Sequence, residues 1–280
     1  MKTIRRTLVV AIILLNTTLY AQTTKAFEVK VVGKGEPVLL FPGFTCTGDV
    51  WNALVEELSK TKECHIFTLA GFGGVPAIEK PWLPKVKEGI SNYISENKLE
   101  SSTLIGHSLG GSIALWLATE NNTFKKIIVV DALPSVGALM MPNFNKDHIV
   151  YDNPYNKQLL EMNETQFDAM ANQFATAMSL NKQKQPQIKQ WILDADRETY
   201  VYGYTDLLKL DLREAISKIE VPVLVLAATH PYGENTVKNT YGAQYKNLKN
   251  YKITFAKDAA HFIMFDQPEW FLNTIKTEML

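Results

Sequence analysis

The chain has little of what several common protein classes require. It carries only two cysteines, Cys46 and Cys64, and no C-x-x-C pair, so neither a disulfide scaffold nor a zinc ribbon can be built from it. Its five histidines, His65, His107, His148, His230 and His261, lack the close spacings of a zinc site, and no metal is indicated. Net charge is zero, with 29 Lys and Arg against 29 Asp and Glu. No basic field therefore exists to draw in nucleic acid or an anionic membrane surface, and the expected partner is a small neutral or apolar molecule. Gly33-Lys34-Gly35 and Gly71-Phe72-Gly73-Gly74 lack the spacing of a dinucleotide or P-loop motif and read as turns, so nothing calls for a cofactor. Internal repeats and low-complexity tracts are also missing.

Long apolar runs are absent too. The best candidate, Leu8 to Leu15, is far shorter than the roughly 20 residues that span a bilayer. Lys2, Arg5 and Arg6 precede it and Ala21 closes the segment, which is the layout of a secretory signal peptide over residues 1–21. Export to the periplasm or beyond is the expectation, with cleavage leaving Gln22 first and no stable membrane span. Without residues 1–21 the chain has 26 Lys and Arg against 29 Asp and Glu, so the mature protein is mildly acidic. An oxidising compartment would permit a Cys46–Cys64 bridge. Their expected positions, one after a strand's C-terminal end and one at the start of the next parallel strand, are too far apart for it, and both read as free thiols.

What is present is enough for one large α/β domain: 280 residues, 46% of them hydrophobic. Phe27 to Val32 and Pro37 to Phe41 read as strands, and Asp49 is expected to cap a helix through Leu58. His65 to Leu69 is the next strand, and Leu83 to Glu96 is a helix with apolar spacing at Val86, Ile90 and Ile94. Lys126 to Val130 is another strand. Such alternation predicts a mostly parallel central sheet with helices on both faces. The rhythm stops at Leu133 and resumes at Val221. Between them Met140, Met141, Met162, Met170 and Met178, with Phe144, Phe167 and Phe174, sit in a mostly helical pattern broken by Pro134, Pro142, Pro154 and Pro186. Residues 134–210 therefore read as a helical cap inserted into a core made of residues 22–133 and 211–280. Pro222 to Ala228 and Tyr251 to Phe255 are strands, and Thr236 to Tyr245 and Glu269 to Lys276 are helices.

The chemistry centres on Gly106-His107-Ser108-Leu109-Gly110. Strand-like residues run up to it and the helix-like run Gly111 to Ala118 follows, so a sharp strand-to-helix turn would push the Ser108 hydroxyl out of the sheet. A serine needs a base to take its proton during attack. His261, in the loop Ala259-Ala260-His261-Phe262 after the last strand, is placed to supply it, whereas His65 and His107 read as structural. The imidazole needs a carboxylate in turn. Asp131, ending the strand after the nucleophile helix, is favoured. Glu234 is the alternative, because Ala228 is followed by Thr229-His230-Pro231 with no aspartate, and Asp258 is too close in sequence to His261. Amides for the developing oxyanion come from Leu109, at a helix start, and Phe44. Met140, Met141 and Phe144 are the expected lining of an apolar, adaptable substrate pocket under the cap.

Together Phe41-Pro42-Gly43-Phe44, the elbow at Ser108 and Asp258-Ala259-Ala260-His261-Phe262 resemble the oxyanion loop, nucleophile and base of the α/β-hydrolase superfamily, in particular its smaller capped members. The resemblance covers nearly all of residues 27–280. It implies Ser108, His261, Leu109 and Phe44 in those roles. Two departures stand out: Pro42 replaces a common histidine, and the usual acid position after the late strand is empty. Some members, such as the haloalkane dehalogenases, take their acid from the strand that Asp131 ends, which supports Asp131; their chemistry itself needs an aspartate where this chain has Ser108. The implied function is an exported serine hydrolase of a small carboxylic ester. Related triads also cleave carbon–carbon, amide and thioester bonds or run perhydrolysis, and a binding or sensor protein with little turnover is the alternative of a different class.

Overall fold

Among the described residues, seven strands form one sheet in the order β1-β3-β2-β4-β5-β6-β7. The computed structural model describes residues 25–141 and 143–279, so the expected signal peptide and Pro142 lie outside the described residues. Strands β1 (Phe27–Gly33), β2 (Glu36–Phe41), β3 (Lys62–Leu69), β4 (Thr103–His107), β5 (Lys126–Val130), β6 (Val223–Ala228) and β7 (Tyr251–Ala256) follow the expected spans closely. Only β1 runs antiparallel, against β3 at one edge; every other pairing is parallel. The central strands are buried on both faces, which is why they read as continuous apolar runs and not as alternating ones.

Strand periodicity still sorts their side chains into two cores. Leu39, Phe41, Leu104, Ile127, Val129, Val223 and Val225 face one side, while Val38, Leu40, Ile105, Ile128, Val130, Leu224 and Leu226 face the other. Helices α2 (Trp82–Glu96), α3 (Leu109–Ala118) and α9 (Glu234–Gln244) cover the first side, and α1 (Asn52–Leu58) and α11 (Pro268–Met279) the second. The cap of α1 differs from expectation. Thr47, not Asp49, closes the turn that leads into it, its hydroxyl accepting from the Asp49 amide at 3.3 Å, and a single 3₁₀ turn precedes α1. Both cysteines are free and buried, and burial raises the Cys64 thiol to about 11.

Between β5 and β6 the chain leaves the sheet for a helical segment: α4 (Val136–Met140), α5 (Pro154–Glu161), α6 (Glu164–Met178), α7 (Gln185–Leu193) and α8 (Arg197–Lys209). Its two ends meet, because the Leu212 amide donates to the Pro134 carbonyl at 2.9 Å. Gln244 from α9 holds the entrance by accepting from the Ser135 amide at 3.2 Å and donating to its carbonyl at 2.9 Å. The buried Asp206 carboxylate ties α8 to the core by accepting the Leu83 amide, in the first turn of α2, at 3.0 Å.

The strand order places β2 and β4 side by side, while the chain travels from β2 to β3 in one direction and from β3 to β4 in the other. Their C-terminal ends flank the crevice where open α/β sheets bind ligands. The turn from β4 into α3 is tight: Ser108 sits at φ 52° and ψ −121°, a region an L-residue enters only when its surroundings force it. Room for that turn comes from glycine. A Cβ on Gly110 would stand 2.1 Å from the Phe41 carbonyl oxygen, and one on Gly106 would stand 2.1 Å from the Gly110 carbonyl oxygen. Both obstacles are backbone and cannot rotate away. Gly110→Ala is therefore expected to lower the unfolding free energy by about 3 kcal/mol, the upper end of overpacking costs. Urea denaturation tests this, and a midpoint equal to that of the parent would refute the account of the turn.

Candidate active site

The Asp131 side chain has three partners at the C-terminal edge of the sheet. It follows β5 at φ 46°, and its own amide donates to the Leu226 carbonyl at 2.7 Å. Oδ1 accepts from the Ala228 amide and from the Tyr241 hydroxyl, both at 2.8 Å. Oδ2 lies 2.7 Å from His261 Nδ1. A carboxylate so placed fixes the imidazole with its proton on Nδ1, leaving the Nε2 lone pair as an acceptor. Tyr241 is buried, and burial together with the Asp131 charge pushes its hydroxyl well above the ordinary tyrosine range, so it remains a donor.

Glu234 is elsewhere in role. It opens α9 and pairs with Lys238 at 2.6 Å, an exposed (i, i+4) pair, and that lysine holds its carboxyl below the usual range. His148 ends a short 3₁₀ turn, where its Nε2 lies 3.4 Å from the Asn145 side chain. His65 is buried within β3, not at its start, bonded to Tyr93 at 2.7 Å and Glu63 at 2.9 Å. The His230 amide donates to the Ala259 carbonyl at 3.0 Å, bracing the loop before His261.

His107 is wholly buried beside Ser108. Its Nε2 donates to the His261 carbonyl at 3.0 Å, its ring packs 4.7 Å from the His261 ring, and its Nδ1 has no partner among the described residues. Burial, reinforced by the neighbouring His261, holds it well below the usual histidine range, so it is neutral. The same ring sets the approach of the loop after β2. A Cβ on Gly43 would stand 2.7 Å from His107 Nδ1 and 3.4 Å from Ser108 Cβ, so Gly43 packs directly on the elbow. Its successor Phe44 and the elbow's Leu109 bring two amides to this point, and neither amide donates to a protein group among the described residues. Such a pair can receive negative charge on a substrate oxygen.

The Phe44 ring extends into an aromatic group. It lies 5.1 Å from Phe72, 6.0 Å from Trp82, and 5.7 Å from each of Tyr200 and Tyr204 on α8. Burial pushes both tyrosine hydroxyls up, so they are neutral donors. The expected pocket residues are placed differently from one another. Met140 is 55% exposed, and its sulfur accepts from the Tyr204 hydroxyl at 3.4 Å. Met141 is half-buried just past α4, and Phe144 packs against Gly137 and under the Arg213 guanidinium at 5.6 Å. Sequence reading missed Tyr200, Tyr204 and Tyr241. Tyr241 carried a signal: Asp131 has two oxygens and His261 satisfies one, so a hydroxyl on the buried face of the helix behind it was the group to seek.

Among the described residues no group of three His, Cys, Asp or Glu side chains is arranged to hold a metal ion. No described helix is long and apolar enough to cross a membrane.

Comparison with known proteins places this geometry in context. The alpha/beta hydrolase family matches the chain over residues 38–274. A pimeloyl-[acyl-carrier protein] methyl ester esterase of Aliivibrio salmonicida (strain LFI1238) is 26% identical over 75% of this chain and 76% of its own. The protein of that name from Legionella pneumophila (strain Lens) is 24% identical over 86% of this chain and 94% of its own. Among solved structures, an enol-lactonase from Burkholderia xenovorans LB400 superposes with a TM-score of 0.75 at 15% identity, covering 90% of this chain and 96% of its own. A thermophilic esterase from Thermogutta terrifontis also reaches 0.75, at 18% identity, covering 90% and 92%. At those identities the two structures speak to the fold alone.

The Tyr241 hydroxyl gives a direct test of how the Asp131 site is held. Tyr241→Phe keeps the ring and deletes one hydrogen bond to a carboxylate, and is expected to lower the unfolding free energy by about 1.5–3 kcal/mol. Chemical denaturation measures it, and a loss near zero would mean that solvent replaces the hydroxyl.

Proposed function

The chain belongs to the alpha/beta hydrolase family, and from that premise we propose that it is an exported serine hydrolase that cleaves a small carboxylic ester through an acyl-enzyme on Ser108. The observation that carries this reading is the 2.7 Å contact between His261 Nδ1 and Asp131, beside a serine held at φ 52°. In the proposed reaction Ser108 Oγ attacks the ester carbonyl carbon while His261 Nε2 takes the hydroxyl proton. The carbonyl oxygen becomes an oxyanion that accepts from the Phe44 and Leu109 amides. Collapse of this intermediate expels the alcohol, which leaves with the proton from His261. Water then attacks the acyl group, giving its proton to His261, and Ser108 is released with the carboxylic acid. The Asp131 carboxylate stabilises the imidazolium that forms twice per cycle.

The curated relatives named as methyl ester esterases support a carboxylic ester over an amide, thioester or carbon–carbon bond. Phe44, Tyr200 and Tyr204 support a small neutral substrate, since the rings beside the two amides carry no charge. Export rests on Lys2, Arg5, Arg6, the apolar run Leu8 to Leu15 and Ala21.

Ser108→Ala is expected to lower turnover of a p-nitrophenyl ester by about 10³ or more with folding intact. Asp131→Asn should cost on the order of 10³ to 10⁴, whereas Glu234→Gln should leave the rate near that of the parent. Wild-type turnover in a clean Ser108→Ala preparation, or in Asp131→Asn, would overturn these assignments. Labelling by a fluorophosphonate should follow the same order. For export, intact mass of the native protein should place its N-terminus near Gln22; Met1 on protein from the soluble cytoplasm would exclude it.

A further inference from the structure

Asp266, the last residue of the single-turn helix α10 (Ile263–Asp266), is a half-buried carboxylate with four uncharged donors. Its Oδ2 accepts from the Ala260 amide at 2.8 Å, and its Oδ1 from the Ser179 hydroxyl at 2.6 Å and the Asn181 amide at 3.0 Å. The Leu180 amide reaches both oxygens, at 3.0 and 3.1 Å. These donors come from two places distant in sequence. Ala260 directly precedes His261, while Ser179, Leu180 and Asn181 join α6 to α7 in the helical insertion.

Further contacts run along the same seam. The Phe262 amide donates to the Met178 carbonyl at 3.1 Å, and Asn181 Nδ2 donates to the Phe265 carbonyl at 3.0 Å. Trp191 of α7 stacks on Phe262 and Phe265. On the far side of the loop, His107 Nε2 holds the His261 carbonyl. The peptide unit after the His261 Cα is thus tied at both its carbonyl and its amide. The Ala259–Ala260 unit before it is tied by the His230 amide on one side and by Asp266 on the other, so His261 is held between two fixed units that set the direction in which the imidazole leaves the chain. No other side chain bonds the Ala260 amide among the described residues.

We propose that Asp266 is a positioning residue for His261, and that the donors it uses for this come from the insertion as well as from the core. The proposal rests on the reading of His261 as the general base. Asp266 never meets the substrate in it; the carboxylate fixes the backbone from which the imidazole reaches Asp131. Asparagine at this position is nearly isosteric but turns an amide group toward converging donors, so at least one of the four faces another donor. The loop then relaxes, and small misplacement of a base is costly in rate.

Two readouts test this on the full-length protein: kcat and KM on a small activated ester, and the low-field proton resonance of His261 Nδ1–H bonded to Asp131. In Asp266→Asn, kcat is expected to fall by about 100-fold, with KM for the small ester nearly unchanged, and the resonance is expected to broaden or shift. Ser179→Ala, which removes one donor of four, should move both in the same direction by less. Ser108→Ala should keep the resonance, which makes that readout independent of turnover. Wild-type kcat and resonance in folded Asp266→Asn would overturn the proposal, as would a fall in kcat with the resonance unaltered. Should Asp266→Asn fail to fold, an unchanged kcat and resonance in Ser179→Ala overturns it. If the wild type hydrolyses no ester while Asp266→Asn still loses the resonance, the hydrolase reading falls and the positioning role stands.

Discussion

The arrangement of this protein depends on satisfying one carboxylate. Asp131 stands at the end of β5 with its side chain among strand ends, where an unpaired charge would cost several kcal/mol. Three donors answer it: the Ala228 amide at the end of β6, the Tyr241 hydroxyl from α9 and the imidazole of the loop after β7. Each comes from a different element, so the helix, the two strand ends and the loop take their relative positions from a common acceptor. That is also why the end of β6 can lack an acid. Its backbone is already committed as a donor to the carboxylate one strand over.

Around this acceptor the buried polar groups are matched in kind. Tyr245 gives its hydroxyl to the Ala132 carbonyl at 2.8 Å, and Gln244 gives and takes with Ser135, so one face of α9 closes the chain immediately after Asp131. His107 keeps one nitrogen bonded and is forced neutral, so the His261 ring has no positive charge from it alongside. His107 Nδ1 is an exception among the buried side-chain atoms, and the Phe44 and Leu109 amides likewise donate to no protein group among the described residues.

Much of this was legible in the chain. The strands, the elbow and the loop carrying His261 were readable because each depends on local signals: apolar runs of strand length, glycines around a serine, a histidine past the final strand. The contact between Asp131 and His261 was legible by elimination, since Ala228-Thr229-His230-Pro231 left the usual position vacant. What escaped were residues whose meaning comes only from long-range packing. Tyr200 and Tyr204 sit in an unremarkable helix, and nothing in their spacing says that the Phe44 ring, more than 150 positions earlier, lies between them. Contacts made by Met140 and Phe144 were equally out of reach of the sequence: the Met140 sulfur meets the Tyr204 hydroxyl, and the Phe144 ring lies under the Arg213 guanidinium. The Asp49 misreading had a local cause. Thr47 and Asp49 are both good capping residues, and the 3₁₀ turn between Thr47 and α1 decides between them.

The meeting of the insertion's two ends at the Pro134–Leu212 hydrogen bond has an implication for how such chains diversify. A segment that leaves and rejoins a scaffold at one point leaves the remainder's geometry independent of its length, because closing the loop costs little more entropy as it grows. Lineages can therefore trade one insertion for another while β5 and β6 stay in register. In this chain the exchange would not be silent, because the hairpin between α6 and α7 lends atoms to the loop after β7. A transplanted segment would have to bring equivalent donors, or Asp266 would lose three of the four that it now has.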